Sequence, residues 1–268
     1  MITLKEKLTD ILDTYEENYL EFLHRELTIN RHRIEKVRKW MGHLRSITPT
    51  DVAQFLFRFR EQSAATRNRY RSLLRHLLRW AVDQELGEGE LNSKVFKVER
   101  EDNERTRRLN KDEETKLLSE MGSDLRDLFY AALDTGLRRG ALFQLRFRDV
   151  AEDVLVVPAL IQKHRRSQRI PLTSRLKAII ERRRGEPDEL IFDSTGFEYR
   201  WEQAKKKAGV EGLHWHDLRG EFASRLEEAG VEVSVTSRLL GHADLSTTQR
   251  YLRPRVERFR EAIDKLGV

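Results

Sequence analysis

Residues 216–226 read HDLRGEFASRL, and residues 239–254 read LLGHADLSTTQRYLRP. In the first stretch His216 and Arg219 are three apart, so on a helix they share a face. In the second, His242 stands nine residues before Tyr251, with a turn and a helix start between them. Two upstream stretches add further cations. Residues 135–140, TGLRRG, place Arg138 just beyond a helix end, and residues 163–167, KHRRS, make a basic turn between two strand candidates. Taken singly, each group is ordinary. Arg138 reads as a surface charge, Lys163 as a turn lysine, His242 as a capping group and Tyr251 as a packing residue. His214, His216 and His242 raise the question of zinc, but a His-x-His pair with a distant third histidine lacks a carboxylate partner, which argues against a metal.

Outward from these stretches the chain reads as mainly α with a small antiparallel β-sheet. Residues 125–133 form an apolar helix that ends at Thr135-Gly136. Val154–Val157 is rich in β-branched residues and reads as a strand, with residues 169–172 a second and 190–192 a third. Helices resume near Trp201 and over residues 216–229, 234–240 and 247–251. The first hundred residues read as helices. Leu4, Leu8, Ile11, Leu12, Tyr15 and Tyr19 follow helical spacing, as do Ile34, Val37, Trp40, Met41 and Leu44. Thr48-Pro49-Thr50-Asp51 is a helix start, with Thr48 as cap, Pro49 at the first position and Asp51 at the positive helix end. Val52, Phe55, Leu56 and Phe59 supply that helix's buried face. A fourth helix spans about 64–84, with Tyr70, Leu73, Leu74, Leu77 and Ala81 inward, and Gly87 and Gly89 end it. Residues 99–108 contain no aliphatic residue and read as a charged, extended linker between domains at 1–98 and 109–268. Asn110 and Glu113 have capping-box spacing and open the second domain.

The 268 residues fit about two domains. Lys and Arg total 51 against 45 Asp and Glu, a net charge of +6, and 36% of residues are charged. The mean hydropathy of −0.68 and the lack of a long apolar run exclude a transmembrane helix. Acids and bases occupy the N-terminus where a signal peptide needs an apolar stretch, so a soluble intracellular protein is expected. With no cysteine there is no disulfide scaffold, cysteine nucleophile or thiolate metal site. The positive charge is concentrated. Arg58, Arg60, Arg67, Arg69, Arg71, Arg75 and Arg79 share a stretch with one acid, Glu61, so its net charge equals that of the whole chain, +6. Arginine suits bidentate phosphate contacts better than lysine. Both a solvated helix face and a DNA-contacting face fit this pattern, and amides at the helix N-terminus would add to phosphate binding.

Together these stretches resemble the tyrosine recombinase family, which includes phage integrases and chromosome-dimer resolvases. HDLRGEFASRL is similar to the family's H-D-L-R-H-T-F-A box, LLGHADLSTTQRYLRP to its L-L-G-H-x-x-x-x-T-T-x-x-Y box, and TGLRRGALFQLRFRDV (135–150) to its T-G-L-R box. Lys163 in IQKHRRSQRIPL stands where the family keeps a hairpin lysine, and residues 63–92 resemble the last helices of its core-binding domain. The resemblance covers about residues 1–260. It implies an N-terminal helical, SAM-like core-binding domain and an α+β catalytic domain that form a clamp around double-stranded DNA. It implies a site-specific recombinase acting through a 3′-phosphotyrosine and a Holliday junction, or alternatively a tyrosine-type topoisomerase or a silent DNA-binding regulator of the same fold. The catalytic set it implies is Arg138, Lys163, His216, Arg219, His242 and Tyr251, with Arg165 and Arg166 joining the seven arginines at the DNA. No metal and no other cofactor are implied. The expected assembly is a homotetramer on two DNA sites, from protomers that are monomeric or weakly associated without DNA. The expected location is the cytoplasm, at the nucleoid.

Two positions depart from the family's pattern. Ala141 stands where a glutamate usually follows the first arginine by three residues, so Arg138 is expected to be held in another way. Gly220 replaces the histidine that ends the H-D-L-R-H box, at a helix cost of about 1 kcal/mol relative to alanine. Val256, Phe259, Ile263 and Leu266 have helical apolar spacing, which suits either the protein's own core or a neighbouring protomer.

Overall fold

In the computed structural model the chain divides into two units, Met1–Asn103 and Glu104–Val268. The structure describes residues 1–20, 27–90, 93–101, 107–162 and 166–241. The expected 247–251 helix and the 256–266 apolar spacing lie outside them.

The first unit runs β1 (Ile2–Leu4), α1 (Leu8–Tyr15), α2 (Leu27–Met41), β2 (Ser46–Ile47), α3 (Pro49–Phe57), α4 (Ala64–Asp83) and β3 (Gly87–Gly89). Thr48 and Asp51 make the capping box at the start of α3, with the Thr48 amide donating to Asp51 Oδ2 at 2.8 Å. Ser63 caps α4 by accepting from the Thr66 amide at 3.2 Å. The inward face of α4 is buried at Tyr70, Leu73, Leu74, Leu77, Leu78 and Ala81, in one core with Leu8, Ile11, Leu12 and Tyr15 of α1. Tyr70 stacks on Phe59 at 4.1 Å.

Three details correct the sequence reading of this unit. Leu4 belongs to a strand, and its helix starts at Leu8. Gly87 and Gly89 form β3, which pairs antiparallel with β1 in a sheet of order β2-β1-β3. Trp40 is 38% exposed, with the Arg58 guanidinium 3.8 Å above its ring, so cation–π contact takes the place of burial.

The second unit runs α5 (Lys111–Glu120), α6 (Ser123–Thr135), α7 (Arg139–Leu142), β4 (Val150–Ala151), β5 (Val154–Val157), β6 (Gln168–Pro171), α8 (Ser174–Arg183), α9 (Phe197–Ala208), α10 (Asp217–Glu228) and α11 (Val233–Leu240). Asn110 and Glu113 form the expected capping box on α5. The sheet has the order β4-β5-β6 and is antiparallel throughout, with Val157 opposite Gln168 and Leu155 opposite Ile170. Residues 190–192 make only an isolated bridge, Leu190 to Arg146, and the third strand is β4. The core gathers Phe129, Phe197, Trp201 and Trp215, with Trp215 edge-on to Phe197 at 4.8 Å and to Trp201 at 5.2 Å. Each such ring contributes on the order of 3 kcal/mol when fully buried. A smaller cluster of Phe222, Ala223 and Leu240 packs α10 against α11.

The charged stretch at 99–108 is held at both described ends by polar contacts. Glu99 accepts from Arg67 and Arg71, and its amide donates to Asn68 Oδ1 at 2.9 Å. At the other end, Arg107 pairs with Glu113, and Arg108 pairs with Glu221 at 2.8 Å.

Candidate active site

Helix α6 ends at Gly136 in the left-handed region, φ +60°, and the Gly136 amide donates to the Ala132 carbonyl at 3.0 Å. Glycine adopts this conformation without the penalty a Cβ brings. There is also no room for one, since an added Cβ would lie 2.9 Å from Leu240 Cδ2 of α11. Two residues on, Arg138 caps α7, its carbonyl accepting from the amides of Ala141 at 2.9 Å and Leu142 at 3.0 Å. Its side chain is half-buried, and Nη1 is buried with no hydrogen-bond partner among the described residues. Ala141, only 2% exposed, supplies no carboxylate to it. A buried donor left in this way costs about 1–3 kcal/mol, a cost that an incoming anion would remove.

Arg219, on α10, is 2% exposed. Its Nη1 donates to the Gly136 carbonyl at 2.5 Å and its Nη2 to the Leu240 carbonyl at 2.6 Å. Both acceptors sit at helix C-termini, where carbonyls lack helical partners and carry partial negative charge. One guanidinium thus joins the ends of α6 and α11. The structure therefore brings together Arg219, the turn leading to Arg138 and the residues immediately before His242. His216 is at the N-cap of α10 and is exposed, and its carbonyl accepts from the Arg219 amide at 3.2 Å. His216 has helical backbone angles directly before Asp217, and of the two residues three apart His216 is exposed while Arg219 is buried. Lys163, Arg165, His242 and Tyr251 lie outside the described residues, and Arg166 is exposed.

Glu221, two residues after Arg219, was not singled out from the sequence. It is 1% exposed and accepts from Arg108 Nε at 2.8 Å, Arg225 Nε at 3.0 Å and the Leu109 amide at 3.2 Å. Burial pushes its carboxyl up, but the two guanidinium groups outweigh that and hold it below the usual carboxylate range. An acid four residues before an arginine on a helix is the sequence signal that marks the Glu221–Arg225 half of this network. The Arg108 half spans 113 residues and leaves no local signal.

The seven arginines of the basic stretch separate into three groups. Arg67 and Arg71 converge on Glu99, whose carboxyl is held down to about 2, chiefly by hydrogen bonding from Arg67. Arg58 lies on Trp40, and Arg60 lies over Phe57 and pairs with Glu61 at 3.2 Å. Arg69 and Arg75 are exposed and have no ion-pair partner among the described residues, and Arg79 makes one loose contact with Asp83 at 3.9 Å.

A model described as the phage integrase family matches residues 107–258, and one described as the phage integrase N-terminal SAM-like domain matches residues 17–85. The shufflon-specific DNA recombinase of Escherichia coli is 32% identical over 155 residues, covering 55% of this chain and 40% of that protein. Tyrosine recombinase XerA of Pyrococcus horikoshii is 32% identical over 180 residues, covering 59% of this chain and 60% of that one. The chain spans about half the length of the curated relatives it matches. Among solved structures, a lambda integrase tetramer bound to a Holliday junction superposes with a TM-score of 0.68 at 23% identity, covering 90% of this chain and 78% of that one. At that identity the likeness is one of fold.

Proposed function

The chain belongs to the phage integrase family, and from that premise we propose that it is a site-specific DNA recombinase that cuts and rejoins strands through a 3′-phosphotyrosine. The observation that carries the reading is the Arg219 junction. A buried guanidinium, held by two neutral carbonyls, ties together the three motif stretches that contain Arg138, Arg219 and His242. A phosphodiester under attack concentrates charge on its nonbridging oxygens, and fixed guanidinium donors stabilise that charge without reorganising. In this reading the Tyr251 oxygen attacks phosphorus, and the P–O5′ bond breaks. Lys163 gives the departing 5′-oxygen its proton, and His216 and His242 hydrogen-bond to the phosphate or move protons. A 5′-hydroxyl from the partner strand reverses the step and releases tyrosine. The covalent link conserves the bond energy, so rejoining needs no ATP.

Both units contact double-stranded DNA in this reading, the first through the exposed arginines of α4 and the second through the phosphate site and Arg166. Four protomers assemble on two sites and exchange strands through a Holliday junction, as the lambda integrase tetramer on such a junction supports. Acting on the chromosome would place the protein at the nucleoid. No helix among the described residues is long and apolar enough to cross a membrane. The test is covalent trapping on DNA flanking the protein's own gene. The wild-type chain forms adducts at discrete positions, and Tyr251→Phe binds the same DNA without forming them. Adducts from the variant overturn the nucleophile. Relaxation of plasmid lacking any discrete site identifies a topoisomerase instead.

A further inference from the structure

Two glutamines flank the basic hairpin and take no part in the chemistry above. Gln162 is 5% exposed and Gln168 is 7% exposed. Gln162 Nε2 donates to Gln168 Oε1 at 2.8 Å. Gln168 Nε2 in turn donates to the carbonyl of Leu239, near the C-terminal end of α11. The next carbonyl along, that of Leu240, is the one that accepts from Arg219. Gly241 follows in the left-handed region, φ +66°, and a Cβ there would lie 2.8 Å from Gln168 Oε1, so the glycine leaves space for the amide.

We propose that Gln168, supported by Gln162, is a positioning residue that ties the base of the Lys163 hairpin to the helix end from which the chain passes to His242. The inference rests on the roles given to Lys163 and His242 under the proposed function. Three features favour it over simple satisfaction of a helix-end carbonyl. Gln168 is the first residue of β6, opposite Val157, so it sits on the sheet where the hairpin begins. Gln162 is covalently next to Lys163. The site also asks for a donor and an acceptor on one side chain, which an amide alone provides at this length. A glutamate would place a second acceptor against the Leu239 carbonyl, and methionine would supply neither bond. The carbonyls of Leu239 and Leu240 belong to the set at a helix end that must find partners outside the helix. Two of those partners come from the hairpin strand and from α10, so the end of α11 registers the hairpin against Arg219.

The experiment compares cleavage of an ordinary duplex with cleavage of one carrying a 5′-bridging sulfur, whose leaving group needs no proton. Gln168→Met keeps the side-chain volume and removes both bonds. It is expected to slow cleavage of the ordinary duplex by about tenfold or more while changing sulfur-substrate cleavage by no more than about twofold, the pattern of a misplaced general acid. Gln162→Met leaves the Leu239 bond in place and is expected to give a smaller shift in the same direction, which keeps the test available if Gln168→Met does not fold. Equal loss on both substrates, or no loss on either, overturns the positioning role. Lys163→Ala separates the two levels of the argument. If it loses both substrates equally, the general-acid assignment fails and this inference fails with it. If it spares the sulfur substrate while the glutamine variants do not, only the positioning role fails.

Discussion

Helix α4 and the junction around α10 use the same side chain in opposite ways. On α4, Arg67 and Arg71 give their charge to a carboxylate, Glu99, and the contact fastens the first unit's last described segment to the helix. At the junction, Arg219 is more deeply buried, and its bonds to the Gly136 and Leu240 carbonyls fix the orientation of its guanidinium against two helix ends. The nearby acid, Glu221, is already engaged by Arg108 and Arg225. A count of cations thus says little about the positive charge available to a phosphate. The partner decides that, and an exposed arginine with no ion-pair partner among the described residues, such as Arg69 or Arg75, is expected to contribute more to DNA binding than a paired arginine beside it.

The comparison breaks most sharply at Arg219. Arg219→Ala is expected to slow covalent adduct formation by about 10³-fold with DNA binding retained, as loss of a fixed donor to transition-state charge requires. An unchanged rate would mean that the buried guanidinium only braces the fold. Glu221→Gln comes next. It removes the buried counterion of two arginines and is expected to cost about 3 kcal/mol of stability in denaturant titration. A neutral result would show that solvent relaxes around Arg108 and Arg225.

On α4 the contrast becomes a salt dependence. Arg69→Ala and Arg75→Ala are each expected to lower the slope of log affinity against log salt by about 1, while Arg67→Ala and Arg71→Ala lower stability with little change in slope. Equal slopes across all four variants would erase the distinction between paired and unpaired arginines. The smallest effect concerns pH. Glu99 titrates near 4.5 when unpaired and near 2 in the folded chain, where hydrogen bonding from Arg67 favours the ionised form. Its contribution to stability is therefore complete above about 4.5 and is lost as pH falls through about 2. Glu99→Gln should flatten that part of the stability profile, and a profile that keeps its steepness would assign the acid sensitivity to another group.

Features set by neighbours within one or two helical turns were legible from the sequence. The capping boxes at Thr48–Asp51 and Asn110–Glu113, the end of α6 at Gly136 and the inward face of α4 all follow from groups three to seven residues apart. The small sheet of the first unit was not legible, because its strands are two or three residues long and each pairs far along the chain, Ile2 with Ile47 and with Gly89. Leu190–Ile191–Phe192 carried strand propensity but found only one bridge, since burial of Ile191 and Phe192 in the core satisfies them without a ladder.

The candidate site divides along the same line. The chemical groups and their order along the chain, from Arg138 to Tyr251, are properties of the sequence, because nucleophiles, proton donors and guanidinium forks are fixed by residue type. Which partners each arginine meets is not such a property. It depended on a carboxylate 32 residues from Arg67, on another 113 residues from Arg108, and on two helix ends that meet Arg219 only after the chain has folded. Electrostatic partnership falls off over a few ångströms, whereas sequence distance places no limit on which groups come that close.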